Sequence, residues 1–332
     1  MRFDYKAENK TLRKQITVLK MEREILKKGD GILREGKLVR FGFIHAEKAN
    51  FPIQVLCRVL EVSRSGYYRW RDAEPSEHSK QDEQLKLEIK AIHSESRGTY
   101  GSPRVHAELQ AKGFEIGRNR VARIMAEEGI TGRRPARFCK TTDSNHDKPI
   151  APNLVERDFE PAAPNRIWAA DITYIPTAAG WVYLAVVLDL FSRRVIGWAV
   201  ADHMRTELVL EALDRALGTR DIGDDLIHHS DRGSQYASHR HREELERRGI
   251  MCSMSAKGCC YDNAVVESFF ATLKKELVYR TNWLDYNEAN MSIVEYIQVF
   301  YNCRRRHSTL GYVSPIEFEA SHANEVEDDL AA

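Results

Sequence analysis

Three acidic residues, Asp171, Asp231 and Glu267, occupy positions in the sequence where a carboxylate could bind a metal ion. Asp171 interrupts an apolar segment that begins at Ile167, and burying a carboxylate there is costly unless it is paired or binds a metal. Asp231 directly follows a second apolar segment, which ends at Ser230, and 35 residues separate it from Glu267 in a segment with helical spacing. Taken singly, Asp171 could pair with an arginine and Glu267 could be a solvated helix residue. Taken together, they predict one acidic site.

An all-carboxylate ligand set favours Mg²⁺, or Mn²⁺ in its place, over zinc. Two such ions about 4 Å apart would activate an attacking oxygen and stabilise the leaving oxygen in phosphoryl transfer. Lys274 lies seven residues after Glu267, on the same helical face, where it could meet a phosphate. The pattern therefore predicts metal-dependent phosphoryl transfer. Three residues near the carboxylates in sequence, His229, Ser230 and Asn263, are expected to hold them in position without binding the metal themselves.

Other conspicuous residues have simpler interpretations. Asp189 precedes a tight connection, which favours a turn or salt-bridge role. Trp168 and the pair Phe269–Phe270 are expected in the core. The adjacent pairs His228–His229 and Cys259–Cys260 lack the gap that lets two side chains face one zinc ion, so we interpret them as structural.

Spacing elsewhere predicts the elements that would bring the carboxylates together. Three apolar, β-branched runs joined by short connections predict a strand meander at 166–176, 181–190 and 194–202. Strands at 226–230 and 250–254 then alternate with helices at 205–217, 239–248, 262–279 and 286–305. This succession predicts an α/β fold with a mixed sheet of the ribonuclease-H kind.

The segment before residue 30 has a seven-residue repeat. Tyr5, Leu12, Leu19 and Leu26 recur at that spacing, and Asn9 and Ile16 occupy the complementary offset. Such a seam is typical of a short coiled coil, in which a buried asparagine can fix the register. Oligomerisation through the seam and packing of one amphipathic helix on its own domain are both open.

Two helical modules follow. Residues 53–71 are predicted to form a helix, a tight turn and a helix with Ser63 as N-cap. Helices are then expected at 84–94, from an N-cap at Ser102 to Gly113, and at 117–128. From Arg118 to Lys140 the chain has seven basic residues and two acidic ones, which indicates a helix-turn-helix that binds DNA. A solvated helical linker is the alternative. The expected DNA contacts are Arg118, Arg120, Arg123, Arg133 and Arg134.

The predicted organisation has seven parts. They are a heptad helix (1–29), a small helix-turn-helix (40–75), a DNA-binding helix-turn-helix (82–140), a linker (141–165), a catalytic core (166–280), its C-terminal helix and tail (281–320) and an acidic disordered end (321–332).

Composition excludes several classes of protein. The 332 residues carry a net charge of +1, and the longest strongly apolar run, 181–188, is far shorter than the ~20 residues that span a bilayer. The N-terminus lacks the apolar stretch of a signal peptide, and six scattered cysteines do not form a disulfide scaffold. We expect a soluble cytoplasmic protein that associates with the nucleoid when bound to DNA.

Four stretches of the chain resemble the transposases of the insertion-sequence-three family, of the type called OrfB. The resemblance covers residues 40–320. The stretches are 168–175 (WAADITYI), 228–236 (HHSDRGSQY), 261–274 (from YDNAVVESFF to Lys274) and 301–307 (YNCRRRH) with Ser314-Pro315.

The resemblance implies an integrase-like catalytic core and two Mg²⁺ ions. It carries the family's DDE triad over to Asp171, Asp231 and Glu267, with Lys274 as a DNA contact. It also implies cleavage at the element ends and direct transfer of the freed 3′-hydroxyl to target DNA. The implied partners are double-stranded DNA, further copies of the chain and the upstream-frame protein OrfA.

Two other functions are open at this stage. A metal-dependent nuclease of the same fold would cut without joining, but it would not need the helical modules. A DNA-binding regulator with an inactive core would be expected to lack a triad residue, whereas all three are present.

Overall fold

The computed structural model describes residues 5–74, 77–133, 149–156, 159–256 and 263–331. Contacts divide the chain into two units, Met1–Glu83 and Gln84–Ala332. Within the described ranges, no helix is both long and apolar enough to cross a membrane.

The smaller unit is helical. Its helices are α1 (Tyr5–Lys28), α2 (Lys37–Glu47), α3 (Ile53–Val59), α4 (Arg64–Asp72) and the start of α5 (Glu77–Glu95). Ile44, Leu56 and Tyr67 are fully buried in its core. Ser63 caps α4 as predicted, because its Oγ accepts a hydrogen bond from the backbone N–H of Gly66 at 3.0 Å.

Helix α1 exposes its heptad seam. Ile25 is fully buried in the core of the smaller unit, and Met21 is partly buried against that core. Leu12, Ile16 and Leu19 are 49%, 52% and 62% exposed. The seam therefore lies on the side of α1 that does not pack in this unit.

The larger unit begins with three packed helices, the rest of α5, α6 (Ser102–Ala111) and α7 (Arg118–Glu127). Their apolar sides meet at Ile89, Leu109 and Ile124, which are fully buried.

The prediction that Ser102 is the N-cap of α6 is wrong. The carbonyl of Gly101 accepts hydrogen bonds from the backbone N–H groups of Arg104 and Val105, so Gly101 is the N-cap and Ser102 is already helical.

Five strands form one mixed sheet, as predicted. They are β1 (Ile167–Thr177), β2 (Gly180–Asp189), β3 (Val195–Ala201), β4 (Ile227–Ser230) and β5 (Met251–Met254), in the spatial order β3-β2-β1-β4-β5. The meander β1 to β3 is antiparallel, whereas β4 pairs parallel with β1 and β5 pairs parallel with β4.

Apolar layers cover both faces of the sheet, because successive residues of a strand point to opposite sides. One layer packs around Trp168 with α8 (Thr206–Thr219) and α9 (His239–Arg247). The other packs around Ala169 with α10 (Ala264–Glu276) and α11 (Tyr286–Glu295). The predicted core positions are confirmed, since Trp168, Phe269 and Phe270 are all buried.

The C-terminal region differs from the prediction. The expected helix 286–305 is interrupted, because a π-helical segment, Tyr296–Tyr301, follows α11. The end is helical rather than disordered, since α12 spans Pro315–Ala331. Glu319 of α12 accepts hydrogen bonds from Ser192 at 2.6 Å and from Arg194 at 2.7 Å. These bonds hold the acidic helix on the loop after β2, which composition alone did not reveal.

Three aromatic rings are buried together on the α9 face of the sheet. His228 of β4, Tyr236 and His241 of α9 have ring centroids 5.2 to 6.3 Å apart. Burial lowers the pKa of His228 well below its ordinary value and lowers that of His241 to about 4. Both histidines are therefore neutral near pH 7.

We expect the variant His241→Phe to reduce the loss of stability in acid. An unfolded histidine titrates near 6.5, so as the pH falls the unfolded state binds the proton first and the stability that depends on neutral His241 is lost between pH 6.5 and about 4. Between pH 6.5 and 5 the loss is about 2 kcal/mol. Urea unfolding at these two pH values measures it.

His239→Phe is the matched control, because the side chain of His239 is 87% exposed on the same helix. It should leave the pH dependence unchanged. Equal acid sensitivity of His241→Phe and the wild type would contradict the conclusion that protonation of His241 causes part of the loss of stability in acid.

Candidate active site

The parallel pairing of β1 with β4 brings Asp171 and Asp231 together. The last aligned pair is Ala170 with Ser230, and each aspartate is the next residue of its chain segment. Adjacent strands are about 4.8 Å apart, so the two carboxylates start from neighbouring positions. Alternation along β1 directs Asp171 to the face that α10 covers.

Backbone N–H groups hold both carboxylates. Oδ1 of Asp171 accepts from the N–H of Ile172 at 2.7 Å, and Oδ1 of Asp231 accepts from the N–H of Gly233 at 2.9 Å. A Cβ atom on residue 233 would lie only 2.9 Å from that same oxygen, so glycine allows the loop to close around Asp231.

Helix α10 carries Glu267 over the same face. Its N-cap, Asn263, donates from Nδ2 to the carbonyl oxygen of Ala170 at 3.2 Å, which ties the start of the helix to the residue before Asp171. Val266 and Leu273 are fully buried, whereas Glu267 and Lys274 are partly exposed on the adjoining side of the helix. The predicted start of this helix at residue 262 lies outside the described residues.

Burial and neighbouring carboxylates oppose the ionisation of Asp171 and Glu267. Burial, and then the charge of Asp231, raises the pKa of Asp171 well above its ordinary range, and Glu267 raises it further. Burial and Asp231 also raise the pKa of Glu267. A cation among these oxygens would remove the repulsion. In the part of the chain that the structure describes, however, no three His, Cys, Asp or Glu side chains already converge to hold a metal ion.

Family models and sequence relatives identify the family of this chain. Residues 161–260 and 248–315 match models described as integrase core domain, and 80–138 match an HTH-like domain. An IS600 insertion-element protein of Shigella sonnei, described as an uncharacterized 31 kDa protein, is 45% identical over 267 residues, covering 80% of this chain and 98% of its own. The transposase InsF for insertion sequence IS3 from Escherichia coli is 40% identical over 283 residues, covering 85% and 98%. The chain belongs to the IS3 transposase family.

This IS3-family protein is a DNA transposase with an integrase core domain, as the sequence predicted. The integrase-core matches and the mixed sheet confirm the ribonuclease-H-like fold class. Among solved structures, the catalytic core domain of HTLV-2 integrase in complex with magnesium aligns with 48% of this chain and 98% of its own, at a TM-score of 0.38 and 17% identity.

In the transposase, His229 and Ser230 are held by β5 and by Ser255, which follows it. The two ring nitrogens of His229 are 2.9 Å from Ser253 Oγ and 3.2 Å from Ser255 Oγ. The carbonyl of Ser230 accepts from the N–H of Ser255 at 3.0 Å. Asp189 has the local role that its position predicted, since its carboxylate accepts from the N–H groups of Asn165 and Phe191, each at 3.0 Å.

The predicted DNA contacts lie at several places. Arg118 and Arg120 are in the first turn of α7. Arg123 donates to Glu127 at 2.7 Å, and the carbonyl of Arg133 accepts from Lys275 on α10. Arg134 lies outside the described residues.

A buried ion pair at the far end of α10 escaped the sequence analysis. Glu276 and Arg305 are 3% and 4% exposed and form two hydrogen bonds of 2.9 Å. Tyr296 also donates to Glu276 at 2.8 Å, and Arg104 of α6 lies 3.8 Å away. Burial opposes ionisation of Glu276, but Arg305 and its other partners outweigh it and lower the pKa.

The last two members of the arginine run 304–306 bind carboxylates of this chain. Arg305 pairs with Glu276 in the core. Arg306 donates to both carboxylate oxygens of Glu108 on α6, at 3.0 and 3.1 Å. The signal in the sequence was Glu276 itself, on the apolar side of an amphipathic helix.

We expect Glu276→Gln to lower the free energy of unfolding by about 3 kcal/mol or more, because it leaves the Arg305 charge buried without its counter-ion. Urea denaturation measures the change. Glu211→Gln is the control, since Glu211 and Arg215 form an exposed pair at 2.6 Å on α8 and exposed pairs contribute at most about 1 kcal/mol. Equal effects of the two substitutions would contradict the assignment.

Proposed function

We propose that Asp171, Asp231 and Glu267 are the catalytic residues with which this transposase cuts the ends of its element and transfers the freed 3′ ends to target DNA. The observation that carries the proposal is the β1–β4 register, which sets Asp171 beside Asp231 on the face under α10. The charge of Asp231 raises the pKa of both Asp171 and Glu267, beyond the effect of burial, which supports the grouping of the three residues.

The donor set suits two Mg²⁺ ions, with Mn²⁺ as a substitute. Asp171 and Asp231 would hold both ions, and Glu267 would complete one of the two sites. The raised pKa values of Asp171 and Glu267 support this assignment, because burial and then the charge of Asp231 disfavour their ionised forms, which a cation would favour. When bound, the ions activate the attacking oxygen and stabilise the leaving oxygen.

The surrounding residues of the chain would position this site and the DNA. Asn263 holds the start of α10 against β1, and His229 and Ser230 fix the end of β4 through β5. Lys274 is close enough to Asp171 to act on its charge, so it can bind a phosphate beside the carboxylates.

We further infer that α5 to α7 bind DNA, with Arg118 and Arg120 as phosphate contacts at the N-terminal turn of α7. Arg123, Arg133 and Arg134 would extend this contact. Such binding would bring the protein to the nucleoid.

Substitution of any one carboxylate should reduce strand cleavage to background while DNA binding is retained. The variants are Asp171→Ala, Asp231→Ala and Glu267→Gln, because each removes a metal ligand without removing a cationic DNA contact. Cleavage and joining are measured on a plasmid that carries the flanking DNA of the element, in Mg²⁺ and, for binding alone, in Ca²⁺.

Asp214→Asn, on the exposed side of α8, is the control and should cut normally. Mg²⁺-dependent cleavage by any of the three carboxylate variants would refute the triad. Cutting without joining by the wild type would favour a plain nuclease, and binding without cutting would favour a regulator or a missing OrfA partner.

We propose that the exposed seam of α1 pairs with the same seam of a second copy, or with a heptad helix of OrfA. A double substitution, Leu12→Glu with Leu19→Glu, should lower the molar mass in solution, because it places charge in the paired seam. Light scattering measures it. These positions are preferable to a deletion of residues 1–28, which would also remove Ile25 from the core.

Lys14→Glu, on another side of the same helix, should leave the mass unchanged. An unchanged mass for the double variant would exclude self-association through the seam. OrfA pairing would then require a change of mass on mixing the two proteins.

A further inference from the structure

The hairpin of β1 and β2 extends beyond the acidic site. Pairing of β1 with β4 ends at Ala170–Ser230, but pairing of β1 with β2 continues to Thr177–Gly180. The residues after Ala170 therefore form an extension of the sheet in which β1 has passed the end of β4. Asp171 is the first residue of that extension.

The two faces of this extension have different chemistry. Asp171 points to the α10 face, and alternation directs Tyr174, Trp181 and Tyr183 to the opposite face. The rings of Tyr174 and Trp181 are perpendicular, with centroids 5.1 Å apart. Trp181 is 54% exposed and Tyr174 is 38% exposed. We call Tyr174 and Trp181 the aromatic pair.

Lys274 connects the aromatic pair to the acidic site. Its Nζ lies 5.1 Å from the centroid of the Tyr174 ring, and its charge acts on Asp171. A cation, an exposed aromatic pair and a carboxylate cluster therefore adjoin one another around the same stretch of β1. Aromatic side chains beside a cationic group are the means by which proteins bind unpaired nucleotides without sequence preference.

We propose that the aromatic pair is a binding site for an unpaired nucleotide of the DNA strand being cut or joined, with its base stacked on Trp181 and Tyr174 and an adjoining phosphate at Lys274. The proposal rests on the proposed function, because it assumes that the strand enters at Asp171, Asp231 and Glu267. A base beside the reacting phosphodiester must leave the duplex stack to bind in this way, and stacking on the aromatic pair would offset part of that cost.

The aromatic pair contributes less to folding than fully buried aromatic residues do. A tryptophan that is half exposed gains only about half of the free energy available from full burial. Its replacement should therefore change DNA binding more than folding.

The test uses a hairpin duplex with a four-nucleotide single-stranded overhang that contains 2-aminopurine, and the matching blunt duplex, both in Ca²⁺. Stacking on the aromatic pair should quench the fluorescence of the overhang. Trp181→Ala should weaken binding of the overhang duplex by about tenfold or more while binding of the blunt duplex stays unchanged. Trp181→Phe should retain most of the effect, because it keeps an aromatic ring.

Met251→Ala is the control, since Met251 is 40% exposed at the start of β5, the end of the sheet away from Asp231. Tyr174→Ala provides a second variant should Trp181→Ala unfold, which circular dichroism would reveal. Equal quenching and affinity in the wild type and both alanine variants would overturn the proposal. A fall in molar mass of Trp181→Ala with unchanged overhang binding would also overturn it, in favour of a protein interface.

Asp171→Ala separates this proposal from the catalytic one. It should lose cleavage but keep the quenching of the overhang. If Asp171→Ala still cuts, the triad assignment fails. If the fluorescence of the overhang is quenched normally by Asp171→Ala but not by Trp181→Ala, the aromatic pair remains a nucleotide site.

Discussion

The parallel, in-register contact between β1 and β4 is the constraint on which the site depends. It sets two aspartates side by side at the end of β4, where burial and the charge of Asp231 raise the pKa of Asp171. A shift of one residue in the register would turn one of the two aspartates to the opposite face, and the pair would be lost. The fold meets this constraint by the crossover through α8, whose close approach to β3 depends on Gly197. A Cβ there would lie 2.1 Å from the carbonyl oxygen of Ala212.

Helix α10 is fixed at both ends, and Glu267 and Lys274 lie between the two anchors. Asn263 bonds to β1 at the start, and Glu276 pairs with Arg305 at the end. Since Arg104 of α6 also lies beside Glu276, the helices that would bind DNA contact the helix that carries Glu267 within the same unit. A buried pair of this kind is costly to break, so it holds Glu267 and Lys274 in a defined position along the helix.

The sequence predicted what depends on local pattern and missed what depends on distant partners. Asp171 was recognisable because a carboxylate is rare inside an apolar strand, and the five strands followed from their spacing. The Glu276–Arg305 pair joins residues 29 positions apart, and although Glu276 lies on the apolar side of its helix, nothing near it indicates that Arg305 is its partner. Helix α12 was missed for the same reason, because the residues that bind Glu319 lie more than a hundred positions earlier in the chain.

The unequal lengths of β1 and β4 explain how one strand can serve two kinds of contact. Strand β1 has 11 residues and β4 has four, so the acidic site sits at the end of β4 but in the middle of β1. If β1 also ended at Asp171, loops and not a strand would follow the carboxylates. Here the hairpin continues past Asp171 and presents rings on the face opposite the carboxylates, with Lys274 adjoining both. A strand of DNA could thus be held by charge on one side of β1 and by stacking on the other.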